Sequence, residues 1–212
     1  MDPKKYLLFD WDGCLADTLS IWLAAYHKVF EEYGVEATDE TIVAKAFGDW
    51  NAAEKFGISD VEGYAKKLAD EAATQMYKVE LNGDVKRTFE MIKSRGGKIA
   101  IVTSSLKPLV WPAIEKFELD QFIDVFLSGE DVVHHKPDPE IVEASLERMG
   151  GDKKSAAIIG DSDKDVEAGK NAQITTMVYY PQINEKFYST ETVEGLGADY
   201  VFRKLDELLR LI

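Results

Sequence analysis

The sequence predicts an α/β fold: a parallel sheet covered by helices on both faces, with a block of helices inserted after the first strand. Three observations lead there. Short, uniformly apolar runs recur at Tyr6–Phe9, Lys98–Val102, 156–159, 175–180, Val125–Leu127 and Tyr200–Phe202, too short for helices and suited to strands buried on both faces. From residue 84 onward amphipathic stretches alternate with them. Between residues 17 and 82 the alternation stops.

Residues 84–95 place Val85, Thr88, Phe89 and Ile92 on one helical face, and 139–149 do the same with Ile141, Val142, Ser145, Leu146 and Met149. Pro108 suits the first turn of the helix that follows it. Gly96 and Gly97 close the helix before the second strand. Alternation of this kind implies a parallel sheet, whose ligands gather at the carboxyl ends of its strands. Helical patterns at 21–33, 38–47 and 61–76 have no strand between them, and Asn82-Gly83 supplies a turn where the alternation resumes. The expected division is a core of residues 1–16 and 83–212 with a helical cap of residues 17–82.

The chain has 212 residues, 45% of them hydrophobic, enough to bury a sizeable core. Its formal net charge of −14, from 25 basic and 39 acidic side chains, repels nucleic acid and anionic lipid, and no basic stripe overrides it. No run approaches the roughly 18 apolar residues of a membrane span. The first residues lack the apolar stretch of a signal peptide. Cys14 is the single cysteine, which rules out an intramolecular disulfide. These features lead us to expect a soluble cytoplasmic protein, a monomer or small homo-oligomer, that meets neither nucleic acid nor membrane.

Acidic and hydroxyl side chains collect where the strands would end. Asp10 and Asp12 follow the first run, Thr103 and Ser104 the second, and Asp161 and Asp165 the run at 156–159, while Lys136 sits in a later loop stiffened by Pro137 and Pro139. Two bare carboxylates about 4 Å apart repel by ~4 kcal/mol at an effective dielectric of 20, so such a gathering calls for a cation. Oxygen ligands without His or Cys favour Mg²⁺, with Asp10, Asp12, Asp161 and Asp165 as candidate ligands. A metal beside a carboxylate, a hydroxyl and a lysine is equipped for phosphoryl transfer: one aspartate attacks phosphorus and a second handles the proton.

In this arrangement the chain resembles the haloacid dehalogenase-like hydrolase superfamily, in its phosphoglycolate phosphatase and β-phosphoglucomutase-like branch with a helical cap after the first strand. Asp10-Trp11-Asp12-Gly13, with Leu15, Asp17 and Thr18 behind it, matches the first motif. Thr103 matches the second, Lys136 in HKPDPEI the third, and GDSDKD at 160–165 the fourth. The resemblance implies a Rossmann-like, three-layer core. It implies Asp10 as nucleophile, Asp12 as acid/base, Thr103 with the following amide as holder of the phosphoryl oxygens, and Lys136 as the link between phosphoryl group and nucleophile. It places Mg²⁺ on Asp161, the Asp10 carboxylate and the Asp12 backbone carbonyl, with Asp165 binding or orienting that shell. Because Asp12 is retained, phosphate-ester chemistry is favoured over carbon–halogen or carbon–phosphorus cleavage. The expected activity is Mg²⁺-dependent hydrolysis of a small phosphorylated metabolite through an aspartyl-phosphate. A sugar-phosphate mutase is the alternative, and a phospho-accepting or metal-binding module a more distant one.

Other residues take ordinary readings. Ser104 and Ser105 serve as caps and loop donors, though Ser104 also stands as a substrate contact, and Lys107 is a solvated rival to Lys136. Asp163 and Asp17 read as helix-start and turn carboxylates. His134 and His135 are expected at a loop surface without a third ligand, and Cys14 in packing. Trp22, Tyr26, Phe30, Phe47 and Trp50 read mainly as core of the inserted bundle, and Lys45 as an exposed helix residue.

Overall fold

A computed structural model describes residues 4–212; the first three residues of the expected core segment lie outside the described residues. Six strands, β1 (Tyr6–Phe9), β2 (Lys98–Val102), β3 (Val125–Leu127), β4 (Ala156–Gly160), β5 (Thr175–Tyr179) and β6 (Tyr200–Phe202), form one sheet in the order β3-β2-β1-β4-β5-β6. Every pairing is parallel. β1 is buried on both faces, as its unbroken apolar run requires. Period-two alternation sends Leu7 and Phe9 into one apolar layer and Tyr6 and Leu8 into the other.

The first layer is closed by α5 (Val85–Ser94), α6 (Lys107–Lys116) and a short helix at Leu205–Leu208, and the second by α7 (Glu140–Met149) and α8 (Asp163–Ala172). The expected face of α5 (Val85, Thr88, Phe89, Ile92) is buried, and the Asp84 side chain caps it by accepting from the Arg87 amide. Gly150 ends α7 in the left-handed conformation at φ 63°. Gly169 lets α8 lie close on the sheet: a β-carbon there would sit 2.5 Å from Ile158.

Between β1 and α5 run α1 (Leu19–Glu32), α2 (Asp39–Lys45), α3 (Ala52–Lys55) and α4 (Val61–Ala73). The four-residue α3 had no counterpart among the sequence expectations. These helices enclose an apolar cluster of their own, built on Trp22, Tyr26, Phe30, Ile42, Tyr64 and Leu68, to which α6 adds Leu109. The outgoing and returning segments lie side by side: Ala16 bridges Leu81, the Asp17 amide donates to the Glu80 carbonyl at 2.9 Å, and the Asn82 amide to the Leu15 carbonyl at 2.8 Å. Among the described residues no helix is long and apolar enough to cross a membrane.

One carboxylate ties α5, β2 and the start of β3. Asp124 accepts from Lys93 at 2.6 Å, Lys98 at 2.7 Å and the Ile99 amide at 2.8 Å. Burial alone would push its carboxyl up, but these donors outweigh it and hold the pKa below the ordinary 3.8. Its contribution is therefore complete above that value and is lost as pH falls through the lower, folded-state one. Asp124→Asn is expected to destabilise the protein by about 2 kcal/mol at neutral pH in denaturant melts, with the difference from wild type shrinking below about pH 4.

Candidate active site

The strand register builds the site. Phe9 stands level with Ile101 on β2 and Ile159 on β4, so Asp10 leaves the sheet beside the loops that carry Thr103 and Asp161. Asp10 is buried, and its Oδ1 accepts from the Trp11 amide at 2.8 Å and from Lys136 at 2.9 Å. Among the described residues none hydrogen-bonds Asp10 Oδ2. Lys136 arrives from the loop after β3 and is buried. Its ammonium donates to Asp10, to Asp165 Oδ1 at 2.6 Å and to the Val102 carbonyl at 3.2 Å, which accounts for all three hydrogens.

Asp165 serves the fold and the site at once. Its Oδ2 accepts from the Ser162 hydroxyl at 2.8 Å and the Ser162 amide at 3.3 Å, forming a capping box at the start of α8. Ser162, rather than Asp163, is the capping residue there. Asp161 is also buried, yet among the described residues its Oδ2 has no hydrogen-bond partner. Carboxylate oxygens of Asp10, Asp161 and Asp165 all lie within 4.8 Å of one another. Burial, reinforced by Asp165, pushes Asp10 up to about 7 despite Lys136, and burial with the neighbouring Asp165 and Asp10 raises Asp161 well above the ordinary range. Burial depresses Lys136, but the two carboxylates on it overcome this and raise it. Three carboxylates against one ammonium leave an excess of negative charge, and the unpartnered Asp161 oxygen points to where a hard divalent cation fits.

Asp12, expected among the metal ligands, sends its carboxylate elsewhere. Oδ1 accepts from Thr18 Oγ1 and from Trp22 Nε1, both at 2.7 Å, and Oδ2 from Ser105 Oγ at 2.6 Å and Thr103 Oγ1 at 3.5 Å. Donors pull it towards α1 and the post-β2 loop, away from the other three. Thr103 is buried and accepts from the Ser105 amide at 3.0 Å. Ser104 lines the pocket, and its carbonyl receives Trp50 Nε1 at 2.7 Å.

Gly13 makes the turn beyond Asp12 at φ 73°, and a β-carbon there would fall 2.2 Å from Asp161 Oδ2. Its carbonyl is held by Asn184 Nδ2 at 2.8 Å and Asn82 Nδ2 at 3.2 Å. The resulting cavity encloses about 70 Å³, against the 10–15 Å³ or so that one water needs, so it suits a small molecule. It lies between the strand ends and the inserted helices, with Trp22, Phe47, Trp50 and Lys164 at its far side.

Sequence reasoning missed Ser105 as a partner of Asp12, and the wall-forming roles of Lys164 and Tyr188, which lie in helix-start and loop contexts without distinguishing patterns. His134 is exposed as expected, but Asp138 and Glu140 accompany it at ligand spacing, and His135 is partly buried. The close approach of His134 is explained by its contact with Glu140 at 3.0 Å.

A doubly wound parallel sheet with an acidic pocket at its carboxyl edge, roofed by helices inserted after the first strand, defines a class of hydrolases. The haloacid dehalogenase-like hydrolase family matches residues 7–179, and the chain belongs to it. A pyrophosphatase PpaX from Bacillus velezensis is 30% identical, over 97% of this chain and 94% of its own. A phosphoglycolate phosphatase from Aquifex aeolicus is 30% identical over 81% of this chain and 83% of its own. In fold the chain is similar to the crystal structure of CbbY from Rhodobacter sphaeroides in complex with phosphate, with a TM-score of 0.80 at 21% identity, over 97% of this chain and 96% of that one.

Gly13→Ala forces a side chain into both a left-handed turn and the Asp161 carboxylate. We expect it to lower kcat at least ~100-fold while circular dichroism still reports the native fold, measured on the hydrolysis of p-nitrophenyl phosphate.

Proposed function

We propose that this phosphatase-type hydrolase cleaves a small phosphate ester by a two-step transfer through Asp10. The observation that carries the reading is Asp10 itself: one oxygen is fixed by Lys136 and the Trp11 amide, the other has no hydrogen-bond partner among the described residues, and Asp10 lines the cavity together with Asp161. In the first step Asp10 Oδ2 forms a bond to phosphorus, and the bond from phosphorus to the leaving oxygen breaks. Asp12 gives that oxygen a proton. In the second, Asp12 takes a proton from water, whose oxygen bonds to phosphorus and releases Asp10 with inorganic phosphate.

Asp12 acts as an acid once the entering leaving-group oxygen replaces one of the donors that now surround it, of which Trp22, Thr103 and Ser105 all line the cavity. Lys136 keeps Asp10 oriented. Thr103 and Ser104 line the phosphoryl side. Residues 17–82 serve as a cap that shuts water out. Asp10 and Asp161, with Asp165 orienting them, would hold Mg²⁺, which offsets the charge of the phosphoryl group when bound. The names of the relatives, a pyrophosphatase and a phosphoglycolate phosphatase, support a small phosphorylated substrate.

Asp10→Asn is expected to reduce phosphate release from p-nitrophenyl phosphate by at least ~10³-fold, with the melting temperature kept or raised; normal turnover would rule the reading out. Mg²⁺ is expected to raise the melting temperature of wild type, by an amount that grows with concentration, and to do so much less in Asp161→Asn. Chelation by EDTA should abolish activity and added Mg²⁺ restore it.

A further inference from the structure

Two lysines line the cavity, and the protein engages them differently. Lys136 has every hydrogen taken, two by carboxylates and one by a backbone carbonyl. Lys164 stands three residues beyond Asp161, in the first turn of α8, and is half-buried. Its ammonium donates one hydrogen, to the Phe47 carbonyl. Among the described residues no carboxylate pairs with it. An ammonium has three donors, so two hydrogens remain for a partner from outside the chain.

The acidic groups around Lys164 are occupied elsewhere. Asp49 lines the same cavity, but one of its oxygens accepts from Lys55 at 2.7 Å and the other from the Asn51 amide at 2.9 Å. Asp163 accepts from the Lys164 backbone amide at 2.9 Å, not from its side chain. Most other donors on this side are also engaged: the indoles of Trp22 and Trp50 and the Tyr26 hydroxyl each donate within the protein. Tyr188 is the exception. Phe187 packs against Phe47 at 6.1 Å, which brings the segment carrying Tyr188 up to the loop that holds Lys164. Tyr188 lines the cavity, and among the described residues its hydroxyl makes no hydrogen bond.

We propose that Lys164 is a specificity-determining residue: its ammonium, with the Tyr188 hydroxyl, receives a second anionic group, a carboxylate or a phosphate, on the leaving portion of the substrate. The proposal rests on the phosphatase reading for the orientation of the ester. A half-buried cation without a counter-ion is a costly arrangement that an incoming anion relieves, and hydrogen bonds between charged partners are about twice as strong as neutral ones. One turn of α8 then serves both ends of the substrate. Asp165 holds the lysine of the nucleophile, and Lys164, one residue earlier, meets the remote charge. The discriminating cation therefore belongs to the sheet layer and not to the inserted helices.

Calorimetric binding of three inert phosphonates to the full chain with Mg²⁺ tests it apart from turnover. 3-Phosphonopropionate or propane-1,3-diphosphonate is expected to bind at least ~10-fold tighter than butylphosphonate, which has similar length and no second charge. The tighter of the two identifies the remote group as carboxylate or phosphate. Lys164→Met should bring the ratio to about one with butylphosphonate still bound, and Lys164→Arg should keep it. Tyr188→Phe should lower it about 3-fold. Binding of both doubly anionic ligands no tighter than butylphosphonate by wild type overturns the proposal, as does a preference that Lys164→Met leaves unchanged, or failure of all three to bind. Turnover of p-nitrophenyl phosphate that survives Asp10→Asn, with the Lys164-dependent preference intact, would overturn only the catalytic reading.

Discussion

Repulsion among carboxylates is the constraint around which this protein is organised. Asp10, Asp161 and Asp165 come from two strand ends and one helix start, and the fold holds them within 4.8 Å of one another in surroundings that exclude water. Lys136 answers part of that charge and is itself buried with every hydrogen engaged. Removing Lys136 from such a cluster would leave the carboxylate charge uncompensated in a poor solvent. The register of β1 against β2 and β4 is what keeps the cluster together, because a slip of one residue would turn Asp10 away from its neighbours.

Much of this was legible in the sequence because strand ends and acidic residues coincide there. Uniform apolar runs locate β1, β2 and β4, and an aspartate or threonine directly after each one needs only the parallel-sheet rule to become a site. The surroundings of Asp12 were not legible. Its donors come from Thr18 and Trp22, six and ten residues ahead, and from Ser105 on another loop, and helical periodicity assigns Trp22 to a buried face without saying that its indole nitrogen reaches a carboxylate. The same holds for Lys164, which reads as an ordinary charged residue in a first helical turn until the loop after α2 is seen to approach it. α3, at four residues, is shorter than a hydrophobic period can reveal.

Three of the polar contacts that join the inserted block to the sheet layer link residues lining the cavity. Trp22 on Asp12, Trp50 on the Ser104 carbonyl and Lys164 on the Phe47 carbonyl are directional bonds made across a small apolar interface, to which Phe47 adds Phe187 at 6.1 Å. Bonds of this kind are worth about 1 kcal/mol each net. Trp22 thus belongs both to the wall of the cavity and to the hydrogen bonding of Asp12.

The paired segments at residues 15–17 and 80–82 have a further consequence. Because the chain leaves and rejoins the sheet layer at adjacent, mutually bonded positions, the sheet experiences the four-helix block as a loop whose ends are already closed. The entropy of closing such a loop rises only slowly with its length. A helical block of different size could therefore be exchanged there as a cassette, leaving strand order and the carboxylate cluster intact while replacing the aromatic side of the cavity.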